Sequence, residues 1–261
     1  MYNALKVLVD GKPNKPMIVL TLGFLTKQNI DSFDRDWIPS VQRFCFERGF
    51  GLAYFYWDSK NLGSLVRSFQ PTEMKALALS QATTQTISKT WADARTSADL
   101  SLNMLYEMLN MFKQREVILV GHSLGARLLL KLASNATPKS YRQIIALATA
   151  CDVGELNVQA IKDSTTKGCI SLYSTHDAVL KYMFPLGQDE NIQQQINQSN
   201  LSLTSKLLQT ATTLLLPKSR ALGAGAHQIG IEEIDATAFC AQMGHLDYSK
   251  HIYKILSRLV V

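Results

Sequence analysis

Apolar positions in this chain fall into short unbroken runs, separated by longer stretches in which they recur every third or fourth residue. An unbroken apolar run bounded by turn residues is the pattern of a strand buried on both faces. Residues 17–23 (MIVLTLG), just after Pro16, form the first such run, and 50–57 (FGLAYFYW) the second. Residues 116–121 (EVILVG), 143–150 (QIIALATA) and 168–174 (GCISLYS) follow, and a sixth lies within 228–239 (QIGIEEIDATAF). Helical periodicity fills the gaps at 32–48, 94–113, 124–133 and 247–260. Strands alternating with helices predict βαβ units, hence an α/β fold with a mainly parallel central sheet flanked by helices.

Two stretches exceed this minimal pattern. Residues 58–91 are long and polar with helical character, and 188–220 begin polar (QDENIQQQINQSN) before turning amphipathic (LSLTSKLLQTATTLLL). Both are read as helical insertions in one domain spanning 1–261, serving either as surface helices over the sheet or as a cap or lid. There is no internal repeat.

Composition agrees with a globular core: 46% of the 261 residues are hydrophobic and 18% charged. The net charge of +6 favours anionic partners in principle. The lysines and arginines are scattered, however, and a nucleic-acid site needs a clustered basic stripe. The reading is therefore no nucleic acid, with peripheral contact to a membrane left open. The four cysteines, Cys45, Cys151, Cys169 and Cys240, form no C-x-x-C pair. A reduced setting is the simplest account, though Cys151 and Cys169 lie near two of the predicted strands, so a disulfide between them stays open. The first residues lack a signal-peptide pattern, and no run reaches the roughly 18 apolar residues of a membrane span. A cytoplasmic location is the expectation.

The chemistry concentrates at Gly121-His122-Ser123-Leu124-Gly125, a G-x-S-x-G pattern. An apolar run (VILV) leads into it and a helix-forming run (ARLLLKLA) leaves it, the context that a nucleophile elbow requires. Such a turn exposes a serine hydroxyl and sets the following helix N-terminus near developing negative charge. A serine needs a base and an orienting acid, which follow in the order Ser, Asp or Glu, His. Among the downstream histidines, His176, His227, His245 and His251, the best placed is His245, between the last strand and the last helix. Asp177 and Asp152 each follow a predicted strand, and either carboxylate could serve, though both could equally be turn or capping residues. The oxyanion donors expected are the N–H of Leu124 and one N–H from the loop after the first strand, at Phe24 or Leu25, with Phe24 preferred. No metal cluster, phosphate loop or dinucleotide motif is present, so neither metal nor cofactor is expected.

Several segments together resemble the α/β-hydrolase family of unknown function typified by the transmembrane and coiled-coil domain proteins. They are Gly23-Phe24-Leu25, the GHSLGAR elbow, residues 173–180 (YSTHDAVL), Ala221-Leu222-Gly223, Ile234-Asp235 and residues 244–248 (GHLDY). The resemblance implies an α/β-hydrolase fold, a Ser123–Asp177–His245 triad and a lipase- or esterase-like activity. It supplies no substrate, and the chain lacks the membrane-spanning segments of the eukaryotic members. Two readings follow: a serine hydrolase acting on a small-molecule or lipid ester, or an idle hydrolase scaffold that binds a protein or membrane. A thioesterase or peptidase of the same mechanism is not separable from the first by sequence.

Overall fold

A computed structural model describes residues 4–23, 37–57, 81–185 and 220–260 of the chain. Among these residues seven strands form one sheet: β1 (Ala4–Val9), β2 (Met17–Leu22), β3 (Gly51–Tyr56), β4 (Val117–His122), β5 (Gln143–Leu147), β6 (Cys169–Tyr173) and β7 (Glu232–Asp235). Their spatial order is β1-β3-β2-β4-β5-β6-β7. All neighbours are parallel except β1, which runs antiparallel along β3 at the edge. The central strands β2, β4 and β5 are buried along their whole lengths. That is why they read as continuous apolar runs rather than as alternations.

The described helices are α1 (Ile38–Arg48), α2 (Gln81–Leu109), α3 (Leu124–Ala133), α4 (Val158–Asp163) and α5 (Tyr248–Leu259). On α5, Tyr248, Ile252, Ile255, Leu256 and Leu259 are buried, at an i, i+3, i+4 spacing that makes one apolar stripe. Each buried aliphatic side chain there contributes about 2 kcal/mol of transfer free energy. Helix α2 starts well before the predicted 94–113 segment and takes in residues 81–91 of the first expected insertion. Trp91, fully buried, anchors this extension edge-on against Phe184 at 5.8 Å. The rest of that insertion, and 188–219 of the second, lie outside the described residues.

Helix α3 is buried along nearly its whole length, and packing from two sides holds it in place. A Cβ on Gly121 would fall 2.6 Å from the Ala126 Cα, and one on Gly125 would fall 2.5 Å from the Thr21 carbonyl oxygen. The two elbow glycines thus let the helix sit directly on β2 and β4. From the other side, the fully buried Arg127 guanidinium donates two hydrogen bonds to Asp99 of α2, at 2.8 and 3.2 Å. It donates two more to Glu155, in the 3-10 turn Val153–Glu155 after β5, at 3.2 and 2.9 Å. Lys131 and Arg95 complete the cluster on the same carboxylates. Burying a cation without such partners would cost several kcal/mol.

The four cysteines are free thiols, so Cys151 and Cys169 do not form the disulfide that their spacing left open. Burial pushes the thiols of Cys45, Cys151 and Cys169 up to about 12. Among the described residues, no helix is long and apolar enough to cross a membrane.

Candidate active site

Ser123 occupies the turn between β4 and α3 with φ 58° and ψ −124°, a conformation rare for any residue but glycine. Such strain costs about 1–3 kcal/mol and persists only where surrounding bonds enforce it. Here the Ser123 N–H donates to the Leu147 carbonyl at 2.9 Å. The Ser123 carbonyl accepts from Arg127 N at 3.1 Å and Ala150 N at 3.3 Å. The elbow is therefore held from α3 and from the chain beyond β5.

The three residues expected to form the triad come together from distant parts of the chain. Ser123 Oγ lies 3.0 Å from His245 Nε2, and His245 Nδ1 lies 2.7 Å from Asp177 Oδ2. A carboxylate oxygen only accepts, so Nδ1 carries the imidazole proton and Nε2 is free to accept from the serine hydroxyl. Ser123 and Asp177 are fully buried and His245 is 4% exposed, which strengthens each of these interactions over its value in water. The second Asp177 oxygen accepts from Leu180 N at 3.0 Å, fixing the carboxylate plane.

Asp152, the alternative acid, is engaged elsewhere. Its carboxylate accepts from Gly154 N at 2.7 Å, capping the 3-10 turn, and pairs with Arg220 at 3.2 Å. His227 meets the Ala221 carbonyl through Nε2, His176 is exposed, and His251 is half-buried on α5.

The space beside Ser123 is shaped by Gly23, which follows β2. As the first residue of α3, Leu124 has an N–H without an intrahelical acceptor. The gap left by Gly23 touches both that N–H and the serine side chain. Phe24, the other expected donor, lies outside the described residues.

Two further side chains, singled out by no motif argument, organise the site. His122, the last residue of β4, has Nε2 2.8 Å from the carbonyl oxygen of His245. Ser174 donates from Oγ to the Met243 carbonyl at 2.6 Å and accepts from His176 N at 3.1 Å, tying the acid loop to the histidine loop. Both act on main-chain carbonyls. Their only sequence signal is adjacency to the elbow or to the Asp177 loop.

The parallel sheet, a strained serine turn leading into a helix, and the chain order Ser, Asp, His define the architecture as that of the α/β hydrolases. No protein-family model matches the chain, and comparison with curated proteins finds no relative. Solved structures similar to it include an alpha-beta serine hydrolase homologue from Coxiella burnetii. That likeness has 8% identity and a TM-score of 0.46, covering 99% of this chain and 92% of the other. The mouse alpha/beta hydrolase domain-containing protein 10 has 16% identity and a TM-score of 0.46, with 99% and 93% covered. Est1E from Butyrivibrio proteoclasticus has 10% identity and a TM-score of 0.43, with 97% and 90% covered.

Proposed function

We propose that this protein is a serine hydrolase that cleaves carboxylic esters through an acyl-enzyme. One observation carries the reading: a buried, hydrogen-bonded chain from the Ser123 hydroxyl through His245 to Asp177, starting at a strained elbow. A binding scaffold gains nothing from holding a serine in that conformation against an imidazole and a carboxylate. The idle-scaffold alternative therefore has no observation in its favour.

In this mechanism Ser123 Oγ attacks the ester carbonyl as His245 Nε2 takes its proton. The oxyanion is bound by the Leu124 N–H and by an N–H of the loop after β2, assigned to Phe24. His245 then returns the proton to the alcohol, which leaves. Water, deprotonated by the same imidazole, hydrolyses the acyl-enzyme and restores Ser123. Asp177 keeps the imidazole in the required tautomer and stabilises the imidazolium. No metal or cofactor is needed for these steps. Lipid esters are the substrate class suggested by the sequence resemblance. The amphipathic stretch 201–216 bears on it as well, but lies outside the described residues.

A fluorophosphonate probe should label the wild-type protein and leave Ser123→Ala unlabelled, with unchanged circular dichroism. Equal labelling of both would remove Ser123 from the mechanism. Esters of graded acyl length, alongside a thioester and a phospholipid, then assign the acyl group.

A further inference from the structure

We propose that His122 is a positioning residue, whose imidazole Nε2–H holds the main-chain carbonyl of His245 and so sets the base at its distance from the nucleophile. The inference rests on the reading of Ser123 and His245 as nucleophile and base.

His122 adjoins Ser123 in sequence, is 4% exposed, and reaches the His245 carbonyl oxygen at 2.8 Å. A carbonyl accepts only, so the His122 proton sits on Nε2, a tautomer fixed by its partner. A buried histidine satisfied by some nearby carbonyl would be unremarkable in a core. Here the carbonyl belongs to the base itself. The loop carrying that base is held at three successive residues. The Met243 carbonyl is bound by Ser174 Oγ, Gly244 N by Asp247 Oδ2 at 3.0 Å, and the His245 carbonyl by His122. Of these three tethers, that from His122 alone starts on the strand that ends at the nucleophile. It therefore fixes the separation of base and nucleophile through one side chain. The other two locate the loop against the acid loop and against its own continuation.

The ring environment suits this task. Burial first, and the neighbouring His245 second, hold His122 well below the ordinary histidine range, although its hydrogen bond to His245 pulls the other way. Among the described residues, the titratable groups facing it are His245 from the loop, 4.9 Å between centroids, and Tyr248 from α5, at 5.7 Å. Trp37, at 5.1 Å and just before α1, adds an aromatic wall without a titrating group. Asp177 reaches the pair through His245. His122 thus stays neutral when His245 takes the serine proton. A cation there would oppose the imidazolium that catalysis must form.

The test uses the protein with His122→Phe, which keeps an aromatic ring but has no donor, and His122→Gln, which keeps an N–H. Displacing a catalytic group by about 1 Å costs on the order of 10²-fold. His122→Phe should slow both kcat and fluorophosphonate labelling by about that factor with KM unchanged, and His122→Gln should recover most of the loss. The low-field proton resonance of His245 Nδ1–H should move in the phenylalanine variant and return in the glutamine variant. A folded His122→Phe protein that labels at the wild-type rate with that resonance unmoved overturns the proposal. An arm that needs no variant uses imidazole nitrogen shifts of wild-type protein, which should place the His122 proton on Nε2 throughout the range where histidines ordinarily titrate. A proton on Nδ1, or an ordinary titration, also overturns it. Absence of labelling in the wild type would instead sink the hydrolase reading, while the two resonance measurements would still decide the role of His122.

Discussion

Gly23 lies against the start of α3 so closely that a Cβ built on it would fall 2.6 Å from the Leu124 nitrogen and 3.1 Å from Ser123 Oγ. No side chain fits there without displacing either the elbow or the candidate oxyanion donor. In the proposed mechanism the same gap receives the oxygen of the attacked carbonyl. Gly23→Ala should therefore lower kcat/KM by about 10²-fold, the usual effect of losing one oxyanion donor. Overpacking should add a stability loss of about 1–3 kcal/mol. Stopped-flow acylation and thermal unfolding measure the two effects separately. An unchanged acylation rate would show that the oxyanion binds elsewhere.

The two candidate acids make opposite predictions. Asp177 meets His245 Nδ1 at 2.7 Å, whereas Asp152 caps a 3-10 turn and pairs with the exposed Arg220. Asp177→Asn should lower kcat by about 10⁴-fold, because the amide stabilises the wrong imidazole tautomer. Asp152→Asn should leave kcat near wild type and cost at most about 1 kcal/mol of stability, as expected for a cap. Steady-state kinetics on both variants decides the matter, and the reverse ranking would move the acid to the loop after β5.

How much of this was legible in the sequence follows from what each element must satisfy locally. The boundaries of α3 agree with the pattern, and those of β4 lie within one residue, because an apolar strand, a small-residue turn and a helix former declare themselves in order. Strand β1 was missed: it pairs with β3 at an exposed edge, and none of its residues is fully buried, so no unbroken apolar run marks it. Residues 81–91 read as helical but as part of a separate insertion, because their first residues (QATTQTISKT) carry no apolar period to join them to 94–113; Trp91 finds its partner, Phe184, far along the chain. Short α4 declares itself only through Asn157, which caps it by accepting from Ala160 N. The choice between Asp152 and Asp177 could not be made from position alone, since both stand at the ends of neighbouring strands. His122 and Ser174 were invisible as organisers because their acceptors are main-chain carbonyls over 60 residues away in sequence.

The cysteines should differ sharply in reactivity. Only a thiolate reacts with alkylating agents, and burial holds Cys45, Cys151 and Cys169 at about 12. Cys240 is partly exposed. Native protein treated with a limiting alkylating reagent should carry the label at Cys240 alone, with the other three labelled only after denaturation. Peptide mass mapping reads this directly. Fast labelling of Cys151 in folded protein would mean that the chain behind the elbow opens readily.

Acid should destabilise the protein in two stages, and the signs follow from which state holds the extra protons. His122 sits well below the ordinary histidine range in the folded protein, so below about pH 6.5 the unfolded chain binds a proton that the folded one does not. Its contribution is complete above that value and is lost as pH falls beneath it. For Asp99 and Glu155, burial pushes the carboxyls up, but Arg127 and the neighbouring cations outweigh it and leave both below the usual range. Their contribution is complete above about pH 4.5 and is lost as pH falls through the lowered folded values. The surface carboxylates Glu47 and Asp247 are also lowered, but solvent screens their ion pairs and they add little. Urea unfolding midpoints measured against pH should therefore fall first near the histidine range and again in the carboxylate range. His122→Phe should remove the first stage. Arg127→Met should flatten the second while lowering stability at neutral pH, by no more than about 3 kcal/mol because Asp99 is 42% exposed and can turn to water. A midpoint that holds level down to the carboxylate range would show that His122 is not held neutral by the fold.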